Sequence, residues 1–452
     1  REDLPVIYDP LKAHHPGRGL AHEESYWTAT AGAEPGDDGP VASDREADIA
    51  IIGGGYTGLS CAYHLARNFG ARPVVLEANR CGWGCSGRNG SFARPALGRL
   101  KYTDWIEKWG EARARALFAE SLEALETVRG LIRDGGIACD VQPDGSLKIA
   151  HRPGAVPALE RDHRVLVETF GYPAELLDGG ALEACHFKGE EAFAALRLPD
   201  SFALHPLKLA RGVLEMARAA GAVVHGGSPV TAWRKDGVRH VLKTPGGEVR
   251  AGIVVLATNG YGPEHLHSVL RSRLLPVLSN IVVTRPMTAE EKAACNLVTT
   301  DVMYDTRRML NYYRRLPDDR MLLGNRGPIT ADPAVLAAHR DVLLANLKRK
   351  FPPLKDITAD YFWGGWVAVT RDFMPHVHQA EGDPSVHYAL GYCGSGVAAG
   401  LHAGRRLAER IAGGAEVIPL LDSPLPRIPF GAFRRLAQRL IFQWYGYRDE
   451  LG

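Results

Sequence analysis

Three glycines and one acid carry the clearest chemistry in the chain. Gly53, Gly55 and Gly58 fit a G-x-G-x-x-G spacing. In that pattern the first glycine permits a tight turn. The second lets a pyrophosphate approach the backbone, and the third lets a helix pack closely on a strand. Free N–H groups and a positive dipole end at the start of such a helix favour phosphate. Glu77 stands at the spacing where a carboxylate accepts hydrogen bonds from ribose hydroxyls, and it disfavours a 2′-phosphate. NAD and FAD both meet these conditions. The C-terminal strand–helix unit opens with no second fingerprint, because Gly394-x-Gly396-x-x-x-Gly400 has the wrong spacing. A reductase binding two dinucleotides is therefore disfavoured.

The elements that must hold these residues are legible around them. Asp48–Ile52 is a short apolar run of strand type. Leu59, Ala62, Leu65 and Ala66 then recur at helical spacing, and Pro73–Glu77 forms a second strand. The result is one βαβ unit in about 30 residues. Further on, the pattern predicts helix over 101–135, strand near 140–150, helix from Leu207 to Ala220 and strand at Val223–His225. Ile253–Ala257 is a core strand, and short strands dominate from about 273 to 330. Helix returns at 333–350. Val386–Leu390 then leads through Gly391–Gly396 into a helix over 398–412.

Composition excludes several classes. The 54 basic and 52 acidic residues leave a net charge of +2, without long blocks of one sign. A nucleic-acid groove needs a concentrated basic face, so no nucleic-acid partner is expected. No run of about 18 apolar residues suggests a membrane span. Seven cysteines without a CxxC pair argue against a disulfide framework and against a metal site, and they suit a reducing cytoplasm. The chain starts at Arg1 without an apolar signal region, so a trimmed boundary is expected.

The segment Gly82-Trp83-Gly84-Cys85-Ser86-Gly87-Arg88-Asn89-Gly90-Ser91 resembles the GWGASGRNGG segment of the D-amino-acid-oxidase-like flavoproteins, in the branch containing gamma-glutamylputrescine oxidoreductases. Leu204–Ala210, Val255–Tyr261, Tyr312–Arg314 with Asp319–Gly324, Trp363–Gly365 and Gly391–Val397 are similar to further family segments, as is the tail from Pro429. The resemblance implies a Rossmann-type α/β FAD-binding domain interleaved with an α+β substrate domain, whose antiparallel sheet covers the flavin. Residues 1–44 carry Pro, Gly, His and Asp without periodicity and are expected to form an irregular arm on the surface. The FAD-binding domain takes 45–100, 200–262 and 355–415, the substrate domain takes 101–199 and 263–354, and a tail occupies 416–452. FAD is expected to be non-covalent.

The FAD contacts implied are Gly53, Gly55, Tyr56, Thr57, Gly58, Glu77 and Ala78 on the Rossmann unit. Gly84, Ser86, Arg88, Asn89 and Gly90 follow on the next segment, with Val230 beyond. Gly394, Ser395, Gly396 and Val397 belong to the last loop, whose N–H groups can meet the pyrimidine end of the flavin. Ser395 stands where relatives often carry His. Trp363, Trp366, Tyr392, Tyr313 and Arg314 are candidates for substrate binding. Structural roles compete for them: interface core for the tryptophans, and hairpin surface for Tyr313 and Arg314. Amino-acid oxidases of the family hold a substrate carboxylate with Arg in a W-x-G-x-R-P segment, and the aligned residue is Val367. A bidentate carboxylate clamp is what Arg does best.

The expected reaction is therefore oxidation of an amine C–N bond by hydride transfer to flavin N5. The imine then hydrolyses to an aldehyde. A gamma-glutamyl-amine or related amine is the expected substrate, and dioxygen or another carrier the electron acceptor. No catalytic base is required, and none is named. Three alternatives stay open: an amino-acid or sarcosine-type oxidase using Arg314 or Arg371, a dehydrogenase feeding a membrane carrier, and a flavoprotein without turnover. Phe433, Leu436, Ala437, Leu440, Ile441 and Trp444 recur at spacings of three and four, with Arg434, Arg435 and Arg439 largely off that stripe. The stripe is expected to dock on its own protein, without membrane contact.

Overall fold

The structure, a computed structural model, describes residues 8–13, 19–143, 145–414 and 416–450. Two sheets of eight strands organise the described residues. The first is the nucleotide sheet. Its central path runs His376–Ala380, Asp383–Leu390, Gly247–Leu256, Arg45–Ile52, Val74–Leu76 and Val223–His225. The strands from Asp383–Leu390 to Val223–His225 are parallel, with Ile51 opposite both Val255 and Val75. Parallel strands are covered on both faces, so they read as continuous apolar runs. Ile49 and Ile51 point into one core, under the helices Tyr56–Phe69, Pro206–Ala219 and Gly396–Ile411. Ala50 and Ile52 point into the other, with Leu242, Leu266 and Leu270.

The second sheet runs Ala359–Val369, Leu275–Pro286, Arg320–Arg326, Tyr312–Arg315, Val302–Asp305, Ser146–Ile149, Ala194–Leu198 and Glu175–Asp178. Alternation along its strands sorts neighbours to opposite faces. Val282, Tyr313, Met321 and Leu323 meet Leu343 and Leu347 of the helix Pro333–Lys350. Ile281, Val283 and Leu322 face a separate cluster around Trp27 and Trp363.

Three expectations change here. The strand Ala359–Val369 pairs along its whole length with Leu275–Pro286, so it belongs to the second sheet and not to the nucleotide sheet. The helix over 101–135 is two helices, Tyr102–Trp109 and Glu111–Gly135, because Gly110 takes φ +79° between them. The N-terminal arm is not a surface strap. Its short helix Tyr26–Thr30 is capped by Ser25, and Tyr8, Tyr26 and Trp27 are buried.

The C-terminal helix, Arg434–Glu450, reverses its expected orientation. Polar groups hold it down. Arg434 pairs with Glu264 at 2.6 Å and Arg435 with Asp9 at 2.9 Å, while Asp449 accepts from the backbone N–H groups of Arg308 and Met309. Gln438 is 1% exposed, whereas Leu440 is 59% exposed. The apolar stripe therefore faces outward. Among the described residues, no helix is long and apolar enough to cross a membrane.

Candidate functional site

A cleft, partly open to solvent and of about 1180 Å³ when the solvent at its mouth is included, lies at the carboxyl ends of the parallel strands. That is where open α/β sheets receive ligands. Its floor is the glycine turn. Gly53 has φ +113°, and a Cβ there would lie 2.8 Å from the Ala257 carbonyl oxygen. A Cβ at Gly58 would lie 1.9 Å from the Gly53 oxygen, so Gly58 serves helix–strand approach and not the cleft wall. At Gly55 a Cβ would meet the Ser86 hydroxyl at 2.9 Å, and that hydroxyl accepts from the Tyr56 N–H at the helix start. Glu77 is held at the lip. Its Oε2 accepts from the Gly54 N–H at 2.6 Å and its Oε1 from the Asn79 N–H at 2.8 Å, while burial pushes the carboxyl upward against these bonds.

Gly53, Gly55, Tyr56, Thr57, Glu77, Ala78, Gly84, Ser86, Asn89, Val230, Gly394, Gly396 and Val397 all line the cleft, together with Tyr392 and Val367. Tyr392 lies beside the first turn of the helix Tyr56–Phe69, since its hydroxyl meets the Thr57 hydroxyl at 2.6 Å. Ser395 is turned away from the lining. Its hydroxyl donates to the Tyr392 carbonyl and accepts from the Gly98 N–H, which closes the loop before the helix Gly396–Ile411.

Other expected contacts do not reach the cleft lining. Arg88 is buried behind it, paired with Glu23 of the N-terminal arm at 2.9 Å and lying 4.2 Å over the Trp83 ring. A Cβ at Gly90 would lie 2.7 Å from the Tyr312 ring, so this glycine admits Tyr312. The indole N–H of Trp363 donates to the Arg88 carbonyl, and that of Trp366 to the Tyr8 carbonyl. Both tryptophans are core. Tyr313 packs against Phe351 on the far face of the sheet. Arg314 donates to Gln142 and the Leu204 carbonyl, and burial brings its guanidinium down to about 9. The substrate-binding candidates are thus dispersed by strand parity and by partners from the arm.

Sequence reasoning missed Trp83, Cys85, Thr258, Asn259 and Tyr261, which also line the cleft. The segment Val255–Tyr261 carried the signal, because a strand ending at the cleft must turn there. The Thr258 hydroxyl is buried in this lining without a hydrogen-bond partner among the described residues. A backbone cradle that any Cβ would fill, an acid at its lip and an orphaned hydroxyl fit a dinucleotide with its phosphates at the helix start. The N-terminus of a second helix, Gly396–Ile411, meets the same cleft and fits the electron-rich pyrimidine end of a flavin.

Elsewhere, Glu120, Glu123 and His402 converge between two helices. Arg406 donates to both Glu120 oxygens and to Glu123, so a guanidinium already neutralises these acids.

The family model for FAD-dependent oxidoreductases, DAO, matches residues 48–410. The chain is 32% identical over 447 residues to the gamma-glutamylputrescine oxidoreductase of Escherichia coli, covering 95% of this chain and 99% of that protein. It is 31% identical to a probable oxidoreductase OrdL of Rhizobium meliloti, over 91% of this chain and 94% of the relative. Among solved structures, glycine oxidase from Geobacillus kaustophilus superposes with a TM-score of 0.69 at 19% identity, over 85% of this chain and 99% of that one. L-proline dehydrogenase from P. horikoshii gives 0.68 at 20% identity, over 83% and 96%. These two likenesses concern the fold.

Proposed function

Because the chain belongs to the DAO family of FAD-dependent oxidoreductases, we propose that it oxidises the C–N bond of an amine, with a gamma-glutamyl-amine or related amine as substrate. FAD, when bound, would supply a two-electron acceptor for a hydride from the carbon beside an uncharged amine nitrogen. The protein's part is to bind, orient and exclude water. Gly53, Gly55 and the start of the helix Tyr56–Phe69 would hold the pyrophosphate, and Glu77 a ribose. The start of the helix Gly396–Ile411 would hold the pyrimidine edge. The substrate would lose a hydride to become an iminium, loss of a nitrogen-bound proton to solvent gives the imine, and water then releases the aldehyde and an amine or ammonia.

Val367 carries the amine reading. It lines the cleft with an isopropyl group where the resembled amino-acid oxidases place a carboxylate-binding Arg. The two arginines that could substitute do not line the cleft: Arg314 is committed to Gln142 and Leu204, and Arg371 is exposed outside the lining. FAD is held without a covalent bond in this reading. Cys85 is the cysteine in the cleft lining. Its thiol donates to the Trp366 carbonyl, and burial raises it to about 11, so a nucleophilic thiolate is disfavoured.

Anaerobic mixing with equal concentrations of amines, gamma-glutamyl amines and simple amino acids tests this. Fast flavin bleaching by the first two classes is expected. Bleaching by glycine, sarcosine or alanine, with none by the amines, would overturn the reading. Acid precipitation should release FAD into the supernatant, and yellow colour in the pellet would sink the non-covalent claim.

A further inference from the structure

The C-terminal helix leaves a surface that the cleft does not use. Leu436, Leu440, Trp444 and Tyr447 are all exposed along one side of this 17-residue helix, and Phe433, in the turn just before it, is exposed as well. At about 1.5 Å per residue the helix is roughly 26 Å long. Soluble monomers seldom expose a contiguous apolar strip of this kind without a use for it.

The charges beside the strip identify its occupant. Three acids near the helix are engaged: Glu264 with Arg434, Asp9 with Arg435, and Asp449 with two backbone N–H groups. The cations beside the strip are left over. Arg439 and Arg448 are exposed, and Arg308 reaches in from a loop of the second sheet to lie 4.9 Å over the Trp444 ring. None of these three guanidinium groups forms an ion pair among the described residues. The outward face is therefore apolar along its centre and cationic at its margins. Trp and Tyr toward one end add groups that prefer the boundary between water and acyl chains.

We propose that this helix is an interfacial anchor that docks the protein on an anionic phospholipid surface. The strip lies among the upper acyl chains, and Arg308, Arg439 and Arg448 meet headgroup phosphates. A second copy of the chain fits less well. A stable protein interface needs about 20–30 residues on each side, and one helix face supplies far fewer. Two-fold pairing along the strip would also bring Arg439 and Arg448 of both copies together. The proposal reverses the expectation that the helix docks inward, and it is independent of the substrate.

Flotation of the full holoprotein with vesicles tests it. The protein should float with phosphatidylcholine vesicles containing phosphatidylglycerol, and hardly at all with pure phosphatidylcholine. The double substitution Leu440→Glu with Trp444→Glu should abolish flotation without lowering Tm, because both side chains are exposed. Arg439→Gln and Arg448→Gln should each reduce partition roughly fivefold, and high salt should do the same. Absence of flotation, or flotation that survives the double glutamate variant, would overturn the proposal. So would a lipid-free dimer in sedimentation that the same variant dissociates, since that would make a second copy the occupant.

Discussion

The two walls of the cleft were specified in different ways. On the Rossmann wall, backbone geometry decides. Gly53 and Gly55 line the cleft because a Cβ at either would strike its neighbours, and Glu77 sits where backbone N–H groups hold it. On the wall from the second sheet, side-chain parity decides. Val367 lines the cleft, while its neighbour Trp366 turns to the Tyr8 carbonyl. Tyr313 faces the helix behind the sheet, while Tyr312 faces Gly90 and Phe92. One wall is a requirement on the main chain. The other depends on which face of a strand each residue takes and on what the N-terminal arm covers.

The largest test of this contrast is Gly55→Val. Its side chain would crowd Ser86 and occupy pyrophosphate space, so FAD retention should fall to nothing. A purified variant with a full flavin spectrum would show that this wall is not the dinucleotide site. Next comes the arm behind the second wall. Glu23→Ala would leave Arg88 buried and uncompensated, which costs about 3–5 kcal/mol when a buried pair is broken. Chemical denaturation measures it. A loss below about 1 kcal/mol, the value of a solvated pair, would mean that the arm does not seal this site.

Val367→Arg sharpens the contrast chemically. A charged hydrogen bond contributes about 1.5–3 kcal/mol, so the ratio of amino-acid to amine reactivity should rise roughly 10- to 100-fold. An unchanged ratio would remove Val367 from the substrate wall. Tyr313→Phe is the matching control. Its hydroxyl is on the far face, so flavin reduction should stay within about twofold, and a tenfold loss would contradict the parity reading.

The smallest expected effect is on pH. Burial lowers His387 of the nucleotide sheet and His339 of the helix behind the second sheet from 6.5 to about 4. Between those values the unfolded chain binds more protons than the folded one, so stability falls as pH drops from 6.5 to 4. Both walls should weaken together, as one cooperative transition. Two separated melts in that window would mean that the halves unfold independently.

The sequence by itself determined the βαβ unit, the glycine turn, Glu77 and most of the elements, including Val223–His225 and 333–350. The reason is local. A turn that excludes Cβ, and apolar runs of period two or near four, impose their signatures over a few residues. Only the tertiary structure decided where side chains point. Arg88 meets Glu23, 65 positions away along the chain, and leaves the cleft. Trp363 and Trp366 become core because the arm folds over them. The C-terminal helix shows the same limit most clearly. Its periodicity marks an apolar stripe. Whether that stripe faces the protein or the solvent was settled by distant partners, Glu264, Asp9 and the Arg308–Met309 backbone, which hold the opposite face down.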